Sequence, residues 1–408
     1  MSMAKQGAKT AVPKLRFPEF RDAPAWEWKT LTHVCDMQAG KFISASEISE
    51  SPYEGSYPCY GGNGLRGYTS TFTHSGKYPL VGRQGALCGN VQYAQGDFYA
   101  TEHALVSSPK IGIDVDWLCY TLDGLQLNQF ATGQAQPGLS VDVLKSVPCA
   151  VPETEIEQQK IADCLTSLDE VIASQGRKVE ALKAHKRGLM QQLFPREGET
   201  CSHLRFPEFR DEPEWKEKKL GDITSIVRGG SPRPIDGFLT SHPDGLNWLK
   251  IGDVDRDAMF VTKTADKVRP EALSKTRVIQ AGDFILSNSM SFGRPYISAI
   301  ETCIHDGWIA VTRIPDSLDR RFLYYSILSE RSQAYFVDQA AGSGVQNLNK
   351  DIIKSLVLGM PAVEEQQRIA DFLFSLDAQI TAESHQLTAL KTHKQGLMQQ
   401  LFPAPAEG

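Results

Sequence analysis

Gly62-Asn63-Gly64-Leu65-Arg66-Gly67 has the glycine spacing of a dinucleotide-binding loop, and it is the first stretch here whose residue types suggest chemistry. Such a loop cradles a pyrophosphate only when a helix N-terminus follows and an acidic residue stands about twenty positions on. The following YTSTFTHSG reads as strand and turn, and no acidic residue lies at that distance. The glycines therefore predict a tight loop in a β-rich domain. There is no GxxxxGK[ST] phosphate loop, no HExxH and no Pro-Pro pair, so the Asn/Asp-Pro-Pro-aromatic loop of amino-methyltransferases is missing. Three of the eight cysteines have a histidine two positions away: Cys35 with His33, Cys201 with His203 and Cys303 with His305. Two ligands do not make a zinc site, and the pairs are far apart in sequence. The scattered thiols read as ordinary side chains of a reducing cytoplasm. No catalytic residue, metal or cofactor is expected on this chain.

The elements that would position any site are written twice. Glu157–Phe194 reads EQQKIADCLTSLDEVIASQGRKVEALKAHKRGLMQQLF, and Glu365–Phe402 reads EQQRIADFLFSLDAQITAESHQLTALKTHKQGLMQQLF; aligned without a gap, 23 of 38 positions are identical. LRFPEFRD likewise occurs at Leu15–Asp22 and Leu204–Asp211, each followed by a tryptophan, Trp26 or Trp215. In the first long segment Ile161, Leu165, Leu168, Ile172, Val179, Leu182, Leu189 and Leu193 alternate at spacings of three and four. Gln175 and Lys186 fill the two gaps, and the second copy repeats the pattern with Glu383 and Lys394 at its gaps. A seam kept over more than four heptads predicts a coiled coil; the alternative is two separate amphipathic helices. In an antiparallel pairing, Lys186 opposite Glu383 also sets Gln175 opposite Lys394, leaving neither gap position unpaired.

Between these repeats lie two unlike bodies. YPLVGRQGALCGNVQYA, FYATEHALV, NWLKIGDV and DFILSNS read as strands, and DWLCYTLDGLQLNQF and RRFLYYSILSERSQAYF as helices. The fold class is α+β: two β-rich domains separated by two long helices that pair as an antiparallel coiled coil, in a tandem-duplicated, pseudo-twofold circular organisation. The expected divisions are a disordered leader over 1–13, a first domain over 14–151, a central helix over 152–195, a linker over 196–203, a second domain over 204–360, a distal helix over 361–403 and a tail over 404–408. In this organisation Leu15–Asp22 packs near Leu397–Pro403.

The order of divergent domain, repeated helix, divergent domain, repeated helix resembles the specificity subunit of type I restriction–modification systems. So do KLRFPEFRD followed by Trp, EQQKIAD and EQQRIAD at the helix starts, and LKxHKxGLMQQLFP at the helix ends. The resemblance covers Lys14 to Pro403. It implies two target-recognition domains, each reading half of a bipartite asymmetric site in double-stranded DNA. It implies helices that act as spacer and as docking surface for two modification subunits, with restriction subunits joining the full complex. It also implies a non-catalytic chain, with S-adenosylmethionine, ATP and Mg on the partners only. The candidate base-reading residues sit in or beside glycine-rich loops. They are Lys41, Tyr60, Asn63, Arg66, Arg83, Gln84, Asn90 and Gln134 in the first body. In the second body they are Arg228, Ser231, Arg233, Asn288, Ser289, Arg294, Gln346 and Asn347. Arginine suits guanine and Asn or Gln suits adenine by bidentate geometry. Lys183, His185, Arg187 and Gln191, with Lys391, His393, Gln395 and Gln399, are the candidate docking residues. Trp26, Trp215 and the FPEF phrases are read as packing, since both copies keep them.

Charge stands against a free-standing DNA binder. The chain carries a net charge of −6; the first body (residues 23–150) has 7 Lys+Arg against 11 Asp+Glu, and the second (212–360) has 19 against 19. Phosphate affinity is then expected largely from the partner subunits, while this chain reads bases. The rival reading is an adaptor unrelated to DNA, presenting two different binding domains on one duplicated scaffold.

Overall fold

The repeated sequences form the two longest elements, helices Glu155–Leu193 and Val363–Leu401, each 39 residues and so about 58 Å long at 1.5 Å per residue. Pro152 and Pro361 precede them, and Pro195 and Pro403 follow, where a missing N–H and a fixed φ end a helix. A computed structural model describes residues 10–85, 87–133, 137–288, 293–341 and 348–403. It divides into two compact units, one of residues 1–176 with 385–408 and the other of residues 177–384. Each unit therefore holds one body, the first part of one long helix and the last part of the other.

In the first unit, Cys35–Ala39, Ala104–Pro109, His74–Gly82, Val91–Ala100, Tyr57–Gly61 and Gly64–Thr69 form, in that order, a six-stranded sheet. Its pairs are antiparallel except Tyr57–Gly61 with Val91–Ala100. Trp26–Thr30 and Pro148–Val151 pair in a separate sheet, and Thr10–Ala11 adds a third strand to it against Trp26 and Glu27. This corrects the leader expected to be disordered through Pro13: Thr10 and Ala11 find an open sheet edge whose backbone groups they satisfy. Helix Val115–Gly124 buries Trp117, Leu118 and Leu122 in a core shared with Trp26, Ile161, Leu165 and Leu401.

The second unit has two five-stranded sheets. One orders Ser225–Arg228, Trp308–Thr312, Phe284–Ser287, Pro295–Ser298 and Phe260–Val261; the other Leu239–Thr240, Asp266–Val268, Leu246–Leu249, Thr302–Ile304 and Arg277–Ile279. Lys216–Lys219 pairs with Val357–Met360. Helix Arg320–Leu328 buries Phe322, Leu323 and Tyr325 against Phe194, Trp215, Ile369 and Leu373.

The leading motif ties the helix ends in each unit. The Leu15 N–H donates to the Gln400 carbonyl at 3.0 Å, and the Leu204 N–H to the Gln192 carbonyl at 2.9 Å. Trp26 meets Phe402 edge-on at 6.5 Å and Trp215 meets Phe194 at 6.4 Å, so both tryptophans are packing residues.

The helix parts within each unit run antiparallel, but in a register other than the one expected. Lys186 bonds Asp377 at 2.5 Å rather than Glu383, and Glu383 pairs with Lys178 at 2.5 Å. Lys394 bonds Asp169 at 2.7 Å rather than Gln175. The aspartates win because a third helix holds them: Tyr325 donates to Asp377 at 2.7 Å and Tyr120 to Asp169 at 2.8 Å.

Candidate nucleic-acid interface

The glycine loop of the first body is the two-residue turn Gly62-Asn63 between paired strands, with Gly61 opposite Gly64. Gly64 has φ +97°, which a side chain rarely adopts. A Cβ on Gly82 would run into the Gly62 carbonyl. These glycines let three backbone segments close on each other. The Lys41 N–H donates to the Ala100 carbonyl (2.9 Å), the Thr101 N–H to Tyr60 (2.9 Å), the Arg83 N–H to His103 (2.9 Å) and the Gly82 N–H to Asn90 (2.9 Å). All seven described candidates of this body thus stand on or beside hydrogen-bonded neighbouring segments. Asn63, Arg66 and Gln84 line one cleft of about 490 Å³ with His103, which sequence reasoning missed. Lys41, Asn63, Arg66 and Gln84 are exposed; Tyr60, Arg83 and Asn90 are half-buried. Burial pushes the Tyr60 phenol up. Gln134 lies outside the described residues.

In the second body four candidates converge on Asp306, a residue absent from the sequence reading. Arg228 Nε donates to the Asp306 carbonyl at 3.1 Å and Asn288 Nδ2 to the same oxygen at 3.4 Å. Ser231 Oγ donates to the carboxylate at 2.9 Å, and Arg233 Nη2 stands 3.6 Å from its other oxygen. Burial works against the charge on Asp306, but the Ser231 hydrogen bond and the nearby His305, Arg233 and Arg228 outweigh it and hold the carboxyl below its ordinary range. Arg228 and Asn288 line a cleft of about 540 Å³ with Arg277, Asn349 and Lys350. Arg294 does not join them; its ion pair is with Asp257 at 3.6 Å. Ser289, Gln346 and Asn347 lie outside the described residues. The signal for Asp306 was present in the sequence as HDGW after a strand. A lone aspartate in a turn has too many ordinary uses to stand out.

The eight docking candidates, Lys183, His185, Arg187, Gln191, Lys391, His393, Gln395 and Gln399, are all exposed. Lys183 pairs with Glu180 at 2.9 Å, one turn away on the same helix, and Gln191 donates to Glu330 at 3.2 Å. Gln395 and Gln399 line a cavity of about 720 Å³ with Lys14, Trp28, Asp123, Cys149 and Phe402. Among the described residues no group of three His, Cys, Asp or Glu side chains is placed to hold a metal ion. No described helix is long and apolar enough to cross a membrane.

Comparison with known proteins matches this construction. The profile of the type I restriction modification DNA specificity domain fits residues 24–184 and again 212–392. The chain belongs to this family. It is 49% identical over 142 residues to the Escherichia coli type I restriction enzyme EcoprrI specificity subunit, a match covering 35% of each chain. It is 24% identical over 359 residues to a Haemophilus influenzae protein described as a putative type I restriction enzyme specificity subunit, covering 85% of this chain and 86% of that one. A Methanocaldococcus jannaschii specificity subunit matches at 23% over 66% of this chain and 64% of its own length. The type I restriction–modification S subunit of M. genitalium shares the fold at TM-score 0.63 and 18% identity, over 97% of this chain and 100% of that one. A chain from a structural study of type I complex assembly and conformational transition gives TM-score 0.59 at 16% identity, over 93% and 97%. The α+β, twice-built architecture is that of the family.

Proposed function

We propose that this chain is the non-catalytic specificity subunit of a type I restriction–modification complex, in which each body reads one half of a bipartite DNA site. The supporting observation is one frame holding two unlike clefts. The Arg–Glu and Tyr–Asp–Lys contacts recur in both units, while the Asn63/Arg66/Gln84 cleft and the Asp306-centred cluster share no residue pattern. Guanidinium and amide groups on tight loops suit base edges in the major groove. The exposed helix residues of the two repeats suit two like partners, the modification subunits, which would carry S-adenosylmethionine; ATP and Mg would belong to the restriction subunits. Such a complex works in the cytoplasm, where these unpaired thiols persist.

The test is co-expression with a type I modification subunit, followed by genomic mapping of methylated adenines. One bipartite motif is expected. Replacing residues 212–360 with the second body of another family member should change one half of that motif and keep the other. An adaptor unrelated to DNA would leave no sequence-dependent methylation. Inserting a heptad into each long helix, between Arg177 and Glu180 and between His385 and Thr388, keeps the seam and should lengthen the unread gap by about three base-pair steps.

A further inference from the structure

Each unit attaches its body helix to a long helix at two separate points, by the same chemistry. In the first unit, the Gln158 amide oxygen accepts the Asp114 N–H at 2.9 Å and its nitrogen donates to the Gly112 carbonyl at 3.1 Å. Asp114 in turn caps the body helix Val115–Gly124, accepting the Trp117 N–H at 2.8 Å. Two turns further along that helix, Tyr120 donates to Asp169 at 2.8 Å, and Lys394 reaches the same carboxylate at 2.7 Å. The Lys394 ammonium also lies 5.1 Å from the Tyr120 ring centroid.

The second unit repeats every part. The Gln366 amide oxygen accepts the Asp319 N–H at 2.9 Å, and Asp319 accepts the Phe322 N–H at 2.9 Å. Tyr325 donates to Asp377 at 2.7 Å, Lys186 bonds the other carboxylate oxygen at 2.5 Å, and Lys186 stands 5.1 Å from the Tyr325 centroid. Asp114, Leu118 and Tyr120 recur at the same spacing as Asp319, Leu323 and Tyr325, so this helix belongs to the repeated frame although the rest of the bodies differ.

Geometry gives the arrangement its consequence. Gln158 and Asp169, like Gln366 and Asp377, are eleven residues apart, or about 16 Å along the long helix. The apolar core between the body helix and the long helices is non-directional; two directional attachments at that separation add resistance to tilting of the body as well as to sliding. The Asp–Lys pair also joins the two long-helix parts, so the body is locked to the helix pair rather than to one strand of it. These partners are half-buried: side-chain exposure is 17% for Lys186, 30% for Asp377, 20% for Lys394 and 39% for Asp169.

We propose that Tyr120 and Tyr325, with Asp169–Lys394 and Asp377–Lys186, are positioning residues that set the length of the unread gap between the two half-sites by fixing each reading domain's angle on the helices. This rests on the specificity-subunit reading. A helix of unchanged length then measures a fixed gap only while its locks hold.

The experiment is Tyr120→Phe, Tyr325→Phe and the double variant, each co-expressed with the modification subunit and mapped for methylated adenines. Phe keeps the packed ring and removes only the hydroxyl. In the double variant, methylation at gaps one base pair shorter or longer should rise roughly tenfold, the scale of one lost hydrogen bond to a charged group. Both half-site sequences should stay unchanged. Val268→Ala, which opens the separate small core of Trp248, Ala272 and Cys303 and not the core that holds Tyr325, is the destabilised control and should keep one gap. A single gap in both single variants and in the double overturns the proposal, as does equal gap widening by Val268→Ala. Should the double variant fail to assemble, the two single variants decide by the same readout. No sequence-dependent methylation by the parent complex would instead bring down the functional reading itself.

Discussion

Arg16 lays its guanidinium along the Glu157 carboxylate, with Nε 2.7 Å from one oxygen and Nη2 2.8 Å from the other, 141 residues away in sequence. Arg205 grips Glu365 in the same way, both distances 2.7 Å. The same guanidinium closes the leading motif: Nη1 donates to the Ala23 or Glu212 carbonyl, and Nη2 also donates to that of Pro24 or Pro213. The glutamates are 3% and 1% exposed, so each carboxylate depends on its arginine. Each pair fastens the leading motif to the start of a long helix.

Arg16→Met strands the Glu157 charge and should cost about 3–5 kcal/mol, the usual effect of breaking a buried pair from one side. Urea unfolding of the full chain measures it, and adding Glu157→Gln should recover a large part. The copies differ in one bond: Trp26 Nε1 donates to Glu157 at 3.1 Å, whereas the buried Trp215 Nε1 has no hydrogen-bond partner among the described residues. Trp26→Phe should therefore destabilise more than Trp215→Phe. Equal losses would mean the indole bond contributes nothing.

Alkaline pH should weaken the first unit. Burial pushes the Cys35 and Cys149 thiols up to about 12 from an ordinary value of 9.0. The unfolded chain then loses these protons first, so the stability they carry is complete below pH 9 and is lost as pH rises from about 9 to about 12. The slope is at most about 1.4 kcal/mol per pH unit for each thiol. Unfolding of the parent and of the Cys35→Ala, Cys149→Ala double variant, compared between pH 8 and 11, isolates the effect. The variant should show the shallower decline.

Asp306→Ala removes the acceptor of the Ser231 hydroxyl and the ion partner of Arg233, while its backbone carbonyl still receives Arg228 and Asn288. Discrimination at the second half-site should fall roughly tenfold or more at one or two base pairs, with the first half-site and the gap unchanged. Methylation frequencies at sites carrying single base changes in each half give the answer. Equal loss in both halves would place Asp306 in general stability instead.

The exposed helix residues should matter for assembly and not for folding. Replacing Lys183, His185, Arg187 and Gln191 with Ala, together with Lys391, His393, Gln395 and Gln399, should weaken modification-subunit binding at least about tenfold. The far-ultraviolet dichroism and melting temperature should stay close to the parent's. Normal assembly on size-exclusion chromatography with light scattering would show that the partners dock elsewhere.

The long helices, their limits and the twice-written frame were legible in the sequence because they rest on local, periodic signals. Alternating apolar residues, flanking prolines and an eleven-residue phrase repeated at His185–Pro195 and His393–Pro403 need no knowledge of what is near in space. The tight turn at Gly62-Asn63 was legible for the same reason. The partners of charged side chains were not. Pairing Lys186 with Glu383 followed from two helices considered alone; the folded chain gives Lys186 to Asp377 because Tyr325, on a third helix, holds that carboxylate in place. Asp306 likewise became the centre of the second cluster only when the segments carrying Arg228, Ser231, Arg233 and Asn288 came together around it. Hydrophobic period is a property of one segment, and the sequence by itself determines it. Which donor meets which acceptor depends on the distance between segments far apart in the chain, and only the tertiary structure decides that.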